Sequence, residues 1–140
     1  MSPRGWIAAG ALLAALSVVV GAFGAHGLPK FLQQRYDDAA DVEARLANNE
    51  TAARYNMYNA IGLILLGILA GIRPQRQASL QAAGWMLLGG TILFSGLLYL
   101  LVILPKQWSW LGMIVPIGGV MMIAGWCLIA IAQRGAEPVE

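Results

Sequence analysis

The chain has 140 residues, of which 59% are hydrophobic and only 11% charged, against about half and about a quarter in soluble domains. That composition excludes an ordinary water-soluble globule, and a net charge of +2 without a dense basic stripe excludes a nucleic-acid binder. A single cysteine, Cys127, excludes an intramolecular disulfide framework.

Four uncharged stretches follow one another along the chain, approximately 6–25, 55–72, 80–104 and 111–132. A helix needs about 20 apolar residues to cross a hydrocarbon core of ~30 Å, and each stretch is near that length. The nine basic and seven acidic residues all fall outside them. Insertion demands this, because a charge at the bilayer centre costs at least ~2.5 kcal/mol. Helices buried in a soluble bundle would show a polar face, whereas these are apolar almost all round. The sequence therefore predicts an all-α membrane protein: one domain of four transmembrane helices in an up-down bundle. The first stretch, with Arg4 before it and small residues at its end, also has the outline of a signal peptide. Its apolar run is longer than a signal core, and it is read as a retained helix.

Between the first two spans lie about thirty residues that hold five of the seven acidic groups. Phe31, Leu32, Tyr36, Ala39, Val42 and Leu46 recur there at helical spacing, with Asp37, Asp38, Asp41 and Glu43 largely between them. This predicts an amphipathic interfacial helix over 29–47, with Asn48 or Asn49 capping the next helix and Glu50 in its first turn. The other connections are short, around Arg73, Pro74 and Arg76 and over Pro105–Trp110, which implies antiparallel neighbours. With both termini on one side, Arg4, Arg73, Arg76 and Arg134 share that side. The other side has Lys106 and four basic residues of the long acidic segment, so the raw count is almost tied, and basic residues beside short connections favour cytoplasmic termini. Trp6, Trp85 and Trp126 are expected to form one aromatic belt, and Tyr55, Tyr58, Tyr99, Trp108 and Trp110 the other.

Up-down threading brings His26, Asn56, Asn59, Ser95 and Tyr99, with Pro116, Gly118 and Gly119, toward one end of the bundle, under the amphipathic segment. These residues are the candidate site, either as interhelical glue or as a pocket for a lipid, small ligand or partner helix. Small residues predict close packing: Gly10, Ala14, Ser17, Gly21 and Ala25 along the first span, and the Gly67–Gly71 pair in the second. Such stripes serve intramolecular packing first, and are also compatible with a homo-oligomer or a membrane partner.

Catalytic chemistry finds little footing. Ser95 and His26 are the one nucleophile–base pairing on offer, and neither has an orienting partner in the sequence. One histidine and one cysteine cannot make an ordinary metal site, and Cys127 reads as a small core residue. The glycines lie within apolar helices rather than at a strand–helix turn, so no phosphate loop is present. No catalytic residue, metal or cofactor is assigned, and a non-enzyme is expected. A small oligomeric transporter or channel is the alternative, although no carboxylate lies in the spans. Pro116, with Gly118 and Gly119, is placed to loosen the start of the fourth helix.

In order, Gly21-Ala22-Phe23-Gly24-Ala25-His26-Gly27-Leu28, Arg54-Tyr55-Asn56-Met57-Tyr58-Asn59-Ala60, Phe94-Ser95-Gly96-Leu97-Leu98-Tyr99, Pro116-Ile117-Gly118-Gly119 and Gly125-Trp126 resemble the motifs of domain-of-unknown-function family 423, the YgdD-like membrane proteins. The resemblance covers nearly the whole chain. It implies a four-span protein of the bacterial inner membrane and brings no established activity. Members of that family usually carry a histidine where this chain has Asn59, while His26 matches the pattern. The exchange keeps hydrogen bonding and removes a titratable group, which fits binding or structure better than proton transfer.

Overall fold

The Ser2 hydroxyl accepts the Gly5 N–H at 3.1 Å, and Pro3 takes the first helical position, where a missing N–H costs nothing. Helix α1 then runs Pro3–His26, 24 residues, about 36 Å at the helical rise. The structure, a computed structural model, describes residues 1–133, and every regular element among them is helical. The other helices are α2 (Leu28–Arg35), α3 (Ala39–Ile72), α4 (Gln77–Ile103) and α5 (Val115–Gln133). Short 3-10 turns, Pro74–Arg76 and Lys106–Met113, close the last two connections. Four helices, α1, α3, α4 and α5, are long and apolar enough to cross a membrane. Pro116 falls in the first turn of α5, where proline is tolerated, and the helix runs through it unbroken. Arg134, one of the basic residues used for orientation, lies outside the described residues.

The long first connection departs from the expected single amphipathic helix over 29–47. Pro29 has no N–H to continue the ladder of α1, so α2 starts anew just after Gly27. Tyr36 is extended, and Asp38 caps a new helix by accepting the Ala40 N–H at 3.0 Å. That helix is α3, which runs 34 residues without interruption. Asn48 and Asn49 therefore sit inside it and cap nothing. At about 51 Å it outreaches the bilayer core, so the end bearing Asp41, Glu43 and Glu50 projects beyond the span. Leu28 and Leu32 of α2 and Val42 of α3 close over Val102 near the end of α4.

Successive spans are antiparallel neighbours: α1 lies along α3, α3 along α4, and α4 along α5. A Cβ at Gly10 would stand 2.5 Å from the Ala60 carbonyl oxygen, and one at Gly67 would stand 2.7 Å from the Pro3 oxygen. The same close approach joins α4 to α5, where a Cβ at Gly118 would lie 2.6 Å from the Phe94 nitrogen. Gly71 and Gly119 have room, with nearest neighbours at 3.9 and 3.8 Å, and Ala14 is half-buried. Gly21 departs from the expected packing stripe: its Cβ position faces a groove and meets nothing within 4 Å, although Val20 and Gly24 beside it touch Asn49 of α3.

Polarity is distributed inside out. Asn56, Asn59, Thr91 and Ser95 are buried, whereas Leu12, Val18, Val19, Val120 and Ile123 are each more than half exposed. Lipid rewards this arrangement, since hydrocarbon solvates leucine and valine while buried polar groups find partners between helices. Trp6 and Trp126 depart from the expected belt. Trp6 is fully buried over Gly84, with Trp85 edge-on at 5.3 Å, and the Trp126 ring is seated on Gly62 of α3.

Candidate functional site

Asn56 and Asn59 lie deep within α3 because that helix begins at Ala39. Three residues of helix turn their side chains about 60° apart, and they enter different crevices. Asn56 points toward α1 and donates its amide to the Leu13 carbonyl at 3.2 Å. Leu13 is at the middle of α1, so the polar cluster lies at mid-helix depth and not at the expected end of the bundle.

The Asn56 crevice holds about 210 Å³ between α1, α3 and α4, lined by Leu13, Leu16, Asn56, Thr91, Ser95 and Tyr99 among others. Three buried polar atoms beside it, Asn56 Oδ1, Ser95 Oγ and the Tyr99 hydroxyl, have no hydrogen-bond partner. Thr91 differs, since its hydroxyl is satisfied by the Leu87 carbonyl at 2.7 Å. An unpaired group in a low-dielectric interior costs about 1–3 kcal/mol; the Tyr99 hydroxyl faces the Asn56 side chain, and the surface that the three residues turn to the crevice is apolar, with the polar atoms set just behind it. The set comprises one acceptor and two hydroxyls that both donate and accept.

Asn59 forms a second, fully satisfied centre. Its Nδ2 donates to the Tyr55 carbonyl at 2.8 Å and approaches the Met122 sulfur at 2.9 Å, while its Oδ1 accepts from Trp126 Nε1 at 3.1 Å. This amide ties α3 to α5 across α4. A groove of about 310 Å³ opens beside it, walled by Tyr55, Tyr58, Phe94 and Trp126.

His26 does not join either centre. It ends α1 and is exposed, thirteen residues beyond Leu13, which corresponds to about 20 Å of helix rise. The Ser95–His26 pairing is thereby excluded on distance. Cys127 is exposed rather than a core residue. Among the described residues, no three His, Cys, Asp or Glu side chains cluster as metal ligands.

Arg45 is the important residue that periodicity did not single out. It is only 4% exposed, its Nε donates to Asp41 at 3.1 Å, and one Nη donates to the Leu101, Val102 and Leu104 carbonyls at 2.8–3.0 Å. The guanidinium stacks 3.9 Å from the Tyr36 ring centroid. The carbonyls ending α4 form the negative pole of that helix, and a cation placed there satisfies them while fastening the cover to the span. The sequence signal was available: an arginine four residues after Asp41 and three after Val42, so on their face of the helix.

The family model described as "Protein of unknown function (DUF423)" matches residues 20–119. A UPF0382 membrane protein of Staphylococcus haemolyticus is 39% identical over 127 residues, covering 91% of this chain and 93% of the relative. The UPF0382 membrane protein YwdK of Bacillus subtilis is likewise 39% identical, over 91% of this chain and 94% of its own. No solved structure matches. With four spans, buried amides and relatives that are themselves named membrane proteins, the chain belongs to the DUF423 family of membrane proteins of unknown function.

Proposed function

We propose that this is a non-enzymatic membrane protein that binds a small uncharged ligand, bearing a hydroxyl or carbonyl group, at Asn56, Ser95 and Tyr99. The observation that supports this reading is the set of three buried polar atoms without a satisfied partner just behind the wall of one crevice, which side-chain rotation on binding would bring to a ligand. The ligand is uncharged because no ionisable group of opposite sign lies at that depth, and an unpaired charge there would be costly. The separation of Ser95 from His26 supports a binding role over nucleophilic catalysis. His26, one of the residues expected at the site, plays no part, and Asn59 acts as a neighbouring brace between α3 and α5.

The test is to purify wild type, Ser95→Ala and Tyr99→Phe in mild detergent and compare the small molecules extracted from each by mass spectrometry. A neutral species retained by wild type and lost from both variants is the expected result. Identical extracts from three equally folded proteins would overturn the reading.

The mid-helix depth of the trio favours a second reading, a narrow path for a small neutral solute completed in an oligomer. Water or glycerol flux into proteoliposomes that falls in Tyr99→Phe would support it, and flux equal to that of empty liposomes would exclude it. For placement, we infer the bacterial inner membrane with both termini cytoplasmic. This rests on Arg4, Arg73 and Arg76 standing beside the N-terminus and a short connection, whereas of the five basic residues at the other end all but Lys106 lie in the long first connection.

A further inference from the structure

A sizeable cavity lies away from the polar trio. It is a lateral groove of about 640 Å³ between the end of α1 and the projecting half of α3. Its apolar wall is made of Gly21, Gly24 and Ala25 on one side and Leu46, Ala47 and Ala53 on the other. Its polar lining is Glu43, Asn49, Glu50 and Arg54. Gly24 packs directly on Asn49 of α3, whereas Gly21, one turn below, opens on the groove, since a Cβ there meets nothing within 4 Å.

Three polar observations point to an occupant. Asn49 is 6% exposed; its Nδ2 reaches only to the Val20 carbonyl at 3.5 Å, and its Oδ1 accepts no hydrogen bond among the described residues. Glu43 is exposed and forms no ion pair among the described residues. Arg54 meets Glu50 through one terminal nitrogen, leaving further N–H donors of its fork for an anion. The groove thus offers acceptors for an ammonium beside a donor fork for a phosphate. Below this rim the walls are greasy: Val18 follows Gly21 and Ala25 along α1 at helical spacing, Ile61 follows Arg54 seven residues on, and both are exposed. Glu43 lies toward the projecting end of α3, and Arg54, whose neighbour Ala53 accepts the Ser17 hydroxyl, sits deeper and reaches outward to Glu50.

We propose that this groove is a specific site for a phospholipid with a primary-ammonium zwitterionic headgroup, its ammonium held by Glu43 and Asn49 Oδ1, its phosphate by Arg54 beside Gly21, and one acyl chain running inward along Val18 and Ile61. A trimethylated headgroup presents no N–H donor to these acceptors, and an anionic headgroup without an amine meets two carboxylates, so both bind less well.

The test is native mass spectrometry of the full chain released from bilayers containing equal amounts of phosphatidylethanolamine, phosphatidylcholine and phosphatidylglycerol. Wild type is expected to retain phosphatidylethanolamine about five- to tenfold over the others. Gly21→Leu fills the groove where there is free space, so it leaves the fold intact while abolishing retention. Glu43→Gln is expected to erase the preference for the primary ammonium. Equal retention of the three lipids by wild type, or a preference for phosphatidylglycerol, would overturn the proposal, as would a preference unchanged in both variants. Neither substitution touches the Asn56 crevice, so failure here leaves the neutral-ligand reading standing, and the reverse holds too.

Discussion

Asn59 shows how one side chain can fix the relation of two helices that are not sequence neighbours. Its oxygen is the partner of the Trp126 indole, and its nitrogen is spent on Tyr55 and Met122. In a membrane interior such bonds contribute about 0.6 kcal/mol on average and ~2 kcal/mol at most, because the unfolded helices also find partners. Trp126→Phe removes the donor and strands a buried oxygen, so we expect a loss of about 1–2 kcal/mol in a denaturant titration in detergent. Asn59→Leu should cost a similar amount, and the double variant less than the sum, because the two changes remove one shared bond. Strict additivity would mean that the 3.1 Å contact contributes nothing to stability.

Scaling up from residues to elements, α1 and α3 are joined by a seam that alternates close glycine contacts with side chain-to-backbone bonds. Gly10 meets Ala60, Asn56 meets the Leu13 carbonyl, Ser17 donates to the Ala53 carbonyl at 2.6 Å, and Asn49 leans on Val20. Gly10→Val forces a branched side chain against backbone and should destabilise the protein by about 1–3 kcal/mol, whereas Gly21→Leu should leave the melting temperature unchanged. The four spans were legible in the sequence because charge exclusion from hydrocarbon is severe and leaves long clean gaps. The stripe on α1 was legible as spacing, but where it closes and where it opens depends on how the two helices sit against each other, which spacing does not contain. Likewise, the polarity of residues 39–54 suggested a surface helix ending at an asparagine cap. A polar helix and an apolar one can share a single uninterrupted rod, and the break occurs instead at Tyr36 and Asp38, where an aspartate cap was available. The cover that results is fastened by Arg45. Arg45→Ala should therefore speed amide exchange in α2 and the first turns of α3 by at least about tenfold, with α1 and α5 unchanged, and Arg45→Lys should rescue only in part because it lacks the planar fork. Uniform acceleration across all helices would show that Arg45 supports the whole bundle rather than the cover.

At the scale of the whole molecule, the chain is a row of four antiparallel rods with the two crossing centres, Trp6 on Gly84 and Trp126 on Gly62, bridging non-adjacent helices. Antiparallel order forces the turn at Pro74–Arg76 and the turn at Lys106–Met113 to opposite ends. The apolar exterior between those ends then fixes what water-soluble reagents can reach. In a Cys127→Ser background, Gln75→Cys and Lys106→Cys should react with a membrane-impermeant maleimide from opposite sides of sealed vesicles. The native Cys127 is exposed on α5 among lipid-facing residues such as Ile123 and Ile131, and it should resist that reagent from either side yet react once detergent is added. Labelling of Gln75→Cys from the cytoplasmic side would place the basic turn where short, positively charged connections are retained during insertion. Labelling of both turn cysteines from the same side would contradict the four-span order itself, since an even number of crossings would then have to separate two turns that one helix joins.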